Sequence, residues 1–186
     1  MDMDEILLDC EERMQKAYDY FIGELRGIRT GRASPALVEH LKVEYYGSPT
    51  DLRQLAAISA PEPDLIVIKP FDPSSVKAIE KAIQTSDLGI TPMSDGKLIR
   101  LPVPALSGDR RQQIATQLKR MAEEARVAIR NVRRDANKAA DKGKSEGELT
   151  EDDQVKCKEE VQRRTDEYSK KIDEALDAKT KEIMEQ

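Results

Sequence analysis

The residues with the most chemistry to offer in this chain are arginines. Arg126, Arg130, Arg133 and Arg134 crowd one stretch, and Arg26, Arg29 and Arg32 follow each other at three-residue steps in another. A guanidinium is always protonated and presents a planar fork of donors that matches two oxygens of a phosphate. At about 100° per residue on a helix, Lys119, Arg126, Arg130 and Arg133 share one sector beside an apolar stripe, with Arg134 just beyond. Two chemistries suit that sector. One is ion pairing with an acidic neighbouring helix, worth about 0–1 kcal/mol per exposed pair. The other is a phosphate-binding surface, favoured by the expectation that no carboxylate interleaves the arginines on their own face. Residues 107–144 contain no aromatic side chain, so splayed single-stranded bases have no stacking platform, and structured RNA held by backbone and shape fits better.

Other reactive residue types are too sparse for a catalytic centre. His40 is the only histidine among 186 residues; it falls in a strand-like segment with no visible partner and reads as a solvated side chain. Cys10 and Cys157 lack any CxxC or Cys/His spacing, so two reduced thiols on helix faces are expected, and no metal site. Asp72, Asp87 and Asp95 read as a helix cap, a polar residue near a helix end and a turn residue. Neither GxxxxGK[ST] nor GxGxxG occurs. No catalytic residue and no cofactor is assigned.

Composition argues at first against a nucleic-acid partner, because 31 Lys and Arg against 36 Asp and Glu leave a net charge of -5. By segment the picture changes: residues 107–144 carry +6 and residues 145–186 carry -6. The longest aliphatic run, Leu65 to Ile68, is far short of the roughly 20 residues of a membrane span. The start, Met1-Asp2-Met3-Asp4-Glu5, lacks the basic character of a targeting segment. A cytoplasmic, monomeric protein without membrane contact is expected.

Three amphipathic helices must position the arginines. Ile6, Cys10, Met14, Ala17, Phe21, Leu25 and Ile28 recur at helical steps. A second helix is predicted from Ser107 as N-cap, with stripe Ile114, Leu118, Met121, Ala125, Ile129, Val132, Ala136 and Ala139, ending around Gly143. A third starts at Thr150, with Asp153 completing a near capping box, and carries Cys157, Val161, Tyr168, Ile172, Ala175, Leu176 and Ile183 on its face. Between them the chain turns strand-like. Val43 to Tyr46 leads into a turn at Gly47-Ser48-Pro49, Leu55 to Ser59 and Leu65 to Ile68 look like strands, Asp72-Pro73 opens a short helix, and Ser94 to Lys97 makes a hairpin turn. The fold class is therefore α+β: a long antiparallel three-helix bundle from residues 1–30 and 106–186, with a small β/α/β domain, 31–105, inserted. The crossings, Thr30, Gly31 and Arg32 on one side and Pro102, Val103, Pro104 and Ala105 on the other, are hinge-like.

Five motifs in order along the chain resemble the ribosome recycling factor family. They are Ile28-Arg29-Thr30-Gly31-Arg32-Ala33-Ser34-Pro35, Val43-Glu44-Tyr45-Tyr46-Gly47, Leu52-Arg53-Gln54-Leu55-Ala56, Ser86-Asp87-Leu88-Gly89, and Ala125 to Asn137. The resemblance implies an L-shaped, non-enzymatic translation factor. Its bundle would lie on 23S-type rRNA of the large ribosomal subunit near the peptidyl-transferase region. With elongation factor G, which hydrolyses the GTP, it would split the post-termination ribosome. The family's RNA-facing arginines match Arg29, Arg32, Arg130 and Arg133; the helical sector adds Arg126 and Arg134. Where the family often has Thr-Glu-Glu-Arg-Arg, this chain has Ser107-Gly108-Asp109-Arg110-Arg111, whose glycine weakens the helix start by about 0.5–1 kcal/mol relative to Ala. From residues alone, the alternative is a bundle adaptor that binds proteins through its acidic third helix and does not touch the ribosome.

Overall fold

The first helix begins where the sequence supplies both halves of a capping box. The backbone N–H of Glu5 donates to Asp2 Oδ1 at 2.9 Å, and that of Asp2 donates to Glu5 Oε2 at 3.0 Å, so two orphan donors are satisfied at once. In the computed structural model, which describes residues 1–185, this helix, α1, spans Met3–Arg26. The chain divides into two units, one of Met1–Ile28 with everything from Gly108 onward, the other of Arg29–Ser107.

In the larger unit α1 packs with two long helices, Gly108–Ser145 and Glu151–Met184, here α4 and α5. Thr150 and Asp153 form the second capping box, at 3.1 and 3.2 Å. Pairings across the helices fix their directions. Arg13 meets Asp135 at 2.8 Å while the Met1 amino group meets Glu148 past the end of α4, and Lys158 meets Asp141 at 2.6 Å while Asp173 meets Arg126 at 2.5 Å. Hence α4 runs antiparallel to both α1 and α5. The core is the predicted stripes, with Ile6, Met14, Phe21, Leu118, Ile129, Val161 and Ile172 all buried; each such side chain contributes about 1.5–3 kcal/mol on burial. Cys10 and Cys157 are buried and unbridged, and desolvation pushes the Cys10 thiol up to about 11. Buried Tyr168 keeps its hydroxyl satisfied between Glu11 Oε1 at 2.8 Å and Gln15 Oε1 at 2.7 Å.

The second helix differs from expectation at its far end. It runs past Gly143 to Ser145, and Ala140 is buried where Ala139 is only partly so, because 3.6 residues per turn drifts over so long a stripe. Gly143 is a seat and not a stop. A Cβ there would lie 2.9 Å from Leu149 Cδ1, and Leu149 packs down on it, buried, while its N–H and that of Glu148 donate to the Gly143 carbonyl. The left-handed residue that ends the helix is Gly147, with φ of 77°.

The smaller unit holds two antiparallel sheets. β1 (Lys42–Tyr45) pairs with β2 (Ser48–Asp51); β3 (Ala56–Glu62), β4 (Leu65–Pro70), β6 (Ile99–Pro102) and β5 (Met93–Ser94) lie side by side in that order. Helix α3 (Val76–Thr85) covers the core with Val76, Ile79 and Ile83, against Ile66, Ile68, Ile99 and Leu101. Asp72 caps the 3-10 turn before it, accepting from the Ser74 N–H at 3.0 Å. Two expectations need correction here. The turn is Tyr46-Gly47, both left-handed at φ of 50° and 77°, so Ser48 and Pro49 belong to a strand; its pairing is two-stranded, and a proline without N–H is tolerated on that edge. Leu55 ends a four-residue helix, α2 (Leu52–Leu55), and does not begin the strand. His40 precedes β1 in a turn, exposed, with Nδ1 3.8 Å from Asp51 Oδ2.

Candidate nucleic-acid interface

Because α4 is continuous from Gly108 to Ser145, its basic residues keep a fixed phase. Lys119, Arg126, Arg130 and Arg133 span about 60° of the helix face. The expectation of a face without carboxylates fails: Glu123 lies between Arg130 and Arg134 in angle and accepts from Arg130 and Arg126. Arg130 Nη2 donates to Glu123 Oε1 at 2.7 Å, and Arg126 Nη1 donates to Glu123 Oε2 at 3.3 Å. These hydrogen bonds, Arg130's first, hold the Glu123 carboxyl below its ordinary range.

Arg126 is held from a second side. Its Nε and Nη2 donate to Asp173 Oδ1 of α5 at 2.9 and 2.5 Å, and its side chain is 26% exposed. For this residue the pairing with the acidic helix is realised. Arg126, Arg130, Glu123 and Asp173 together carry no net charge. Among the described residues Lys119, Arg133 and Arg134 join no ion pair. Arg134 and Lys119 are exposed and Arg133 half-buried, so the uncompensated positive charge of the sector sits on these three. One turn past Arg133, Asn137 Oδ1 is shielded and has no hydrogen-bond donor.

Arg29 and Arg32 belong to the smaller unit. Arg32 is exposed. Arg29 donates to the carbonyls of Leu88 and Pro104, at 3.3 Å each, and its Nε is shielded without a partner. Thr30 and Gly31 are buried, Gly31 at φ of 81°. Both crossing segments tie to the β3–β4 turn, the Ala33 N–H to Pro63 O and the Val103 N–H to Asp64 O, each at 2.7 Å. By contacts, Thr30–Arg32 and Pro102–Ala105 pack within the smaller unit, whose bounds fall at Ile28/Arg29 and Ser107/Gly108.

A family model described as Ribosome recycling factor matches residues 21–184. The chain belongs to the ribosome recycling factor family. Its curated relatives include a ribosome-recycling factor of Halalkalibacterium halodurans, 52% identical over 181 residues that cover 97% of this chain and 98% of the relative. Another, from Syntrophobacter fumaroxidans, is 49% identical over 183 residues, 98% and 99% of the two chains. Among solved structures, a solution structure of the ribosome recycling factor matches with TM-score 0.83 and 41% identity over 100% of this chain and 99% of that one. A second match comprises models for the T. thermophilus ribosome recycling factor and the E. coli elongation factor G bound to the E. coli post-termination complex. It has TM-score 0.68 and 41% identity over 99% and 100% of the two chains. Ribosome recycling factors are translation factors and not enzymes, which agrees with the structural roles of the aspartates: Asp95 accepts from the Lys97 and Leu98 N–H groups at 3.0 and 2.8 Å. No helix among the described residues is long and apolar enough to cross a membrane.

The partners that sequence reasoning missed are Glu123 and Asp173. Glu123 was visible in principle, three residues before Arg126 and seven before Arg130, both helical neighbours. Asp173 was not, since its pairing depends on the register of two helices.

Proposed function

We propose that this protein acts as a monomer in the cytoplasm, with its bundle held on 23S-type rRNA of the large ribosomal subunit. There it works with elongation factor G, whose GTP hydrolysis drives the splitting of the post-termination ribosome. The observation that carries this reading is the unpaired part of the basic strip, Arg133, Arg134 and Lys119, in a chain of the recycling-factor family. Arg130 adds a fourth contact once its carboxylate partner yields. Arg32 supplies a contact beside the crossings, where Arg29 holds the local backbone through two carbonyls; Arg126 chiefly orients the strip, and the crossings at Thr30–Arg32 and Pro102–Ala105 transmit the push of the translocase. Support for the partners comes from the similarity to a recycling factor placed with elongation factor G on a post-termination complex.

The test is co-sedimentation with large subunits across a salt series. The four bundle contacts alone contribute about -3 to the slope of log K against log salt, and Arg133→Ala weakens binding about 5- to 8-fold at 0.1 M salt while flattening the slope by about 0.7–0.9. Unchanged affinity and slope would sink the reading, and no co-sedimentation of the unaltered protein would turn the case toward a protein-binding adaptor.

A further inference from the structure

We propose that Glu123 is a built-in competitor of the basic strip, standing in for a phosphate at Arg130 so that a polyanion has to displace it to use that arginine. The inference rests on the RNA-binding reading above. Three observations lead to it. Glu123 divides its two oxygens between Arg130 and Arg126, at 2.7 and 3.3 Å. Asp173 engages Arg126 through two further donors from across the bundle, so Arg126 has a second anchor while Arg130 has Glu123 alone. Both carboxylates are 56% exposed, so a ligand reaches them from solvent.

The consequence is an exchange rather than a simple addition. An incoming phosphate at Arg130 replaces one carboxylate with one anion, which yields little for a polyanion that touches this arginine alone. A strand whose phosphates already sit on Arg133 and Arg134, about 4.5 and 6 Å further along the helix axis, presents the next phosphate at high effective concentration, and the exchange then proceeds. Glu123 therefore imposes the same displacement on every RNA that uses Arg130, and only a ligand already held by the neighbouring arginines has the surplus to meet it. Its carboxyl titrates below the ordinary range because of the two guanidiniums, so the competitor stays charged near neutral pH.

Glu123→Gln removes the charge and keeps size and helix propensity. The probe is an RNA duplex of about 20 base pairs unrelated to ribosomal sequence, followed by fluorescence anisotropy from low to high salt. Freeing Arg130 for one more phosphate contact tightens binding about 5- to 8-fold at 0.1 M salt and steepens the salt slope by about 0.7–0.9. Affinity for large subunits rises by at least a similar factor, because the carboxylate has to leave Arg130 there too. Glu123→Asp, which keeps the charge, stays near the unaltered protein. Duplex affinity and slope unchanged in Glu123→Gln overturn the proposal, as does equal tightening in Glu123→Asp, which would trace the effect to helix packing. Arg133→Ala on large subunits reports separately on the RNA-binding reading: loss there together with a flat Glu123→Gln leaves that reading standing and removes this one.

Discussion

In the bundle, Arg126 and Arg130 face carboxylates on exposed helix flanks; in the smaller unit, Arg29 faces two backbone carbonyls, with its Nε shielded. Carboxylates in the two units follow the same division. Glu123 is answered by side chains, whereas Asp95 is answered first by the backbone N–H groups of Leu98 and Lys97, which lower its pKa to about 2. A charge held by a charge can be exchanged for another ion. A charge held by the main chain is part of the local architecture and has no mobile substitute. The comparison teaches that an arginine's proximity to a binding surface does not by itself make it available: what grips it decides.

Breaking the comparison at its strongest point means removing Arg29. Arg29→Ala should cost the smaller unit about 2 kcal/mol, since hydrogen bonds to a charged group lie near that size. The loss should persist in 1 M salt. Amide exchange at Ala33 and Val103, whose N–H groups tie both crossings to one turn, would report it; protection as in the unaltered protein would mean the carbonyl bonds carry no weight. Arg126→Ala should do less. Its pairs are exposed, so the expected loss in urea unfolding is below about 1 kcal/mol and shrinks further at 1 M salt, where the screening length is about 3 Å. A salt-independent loss would mean that Arg126 acts through packing. The smallest effect concerns pH. Because Asp95 has a lowered folded-state pKa, its contribution is complete above the ordinary value of 3.8 and is lost as pH falls through about 2. Asp95→Asn should therefore lower stability by a constant amount near neutrality and flatten the profile between about 3.8 and about 2, with no dependence on salt if backbone donors dominate.

Where structure follows from neighbours in sequence, the chain was legible. Thr150 with Asp153 and Asp72 with Pro73 start their helices as spacing demands, and most of the three apolar stripes became the bundle core, with Ala140 buried in place of Ala139 and Ala17, Ile28, Ala175 and Leu176 only partly buried. Legibility failed where a local signal has two meanings. Gly47-Ser48-Pro49 has turn composition, yet Tyr46 takes the left-handed position and releases Ser48 and Pro49 into β2. Leu52 to Leu55 is too short for periodicity to separate helix from strand. Gly143 carries the residue type of a helix stop, and only the return of Leu149 gives it another use. In the candidate interface, the arginine phase was readable and their availability was not. Arg126 depends on Asp173, 47 residues away, and Arg29 depends on carbonyls that no side-chain pattern announces.

The seat at Gly143 has one further consequence. Small buried residues on α4, including Ala122, Ala125, Ala136 and Ala140, leave the bundle few bulky ridges on that helix to resist a slip of one turn, about 5.4 Å. Leu149 works as an index pin at the end of that helix. With the pin home, every later residue of α5 has an address along α4, and Asp173 arrives level with Arg126. A glycine at one tip thus sets the aim of a guanidinium about 26 Å away along the helix.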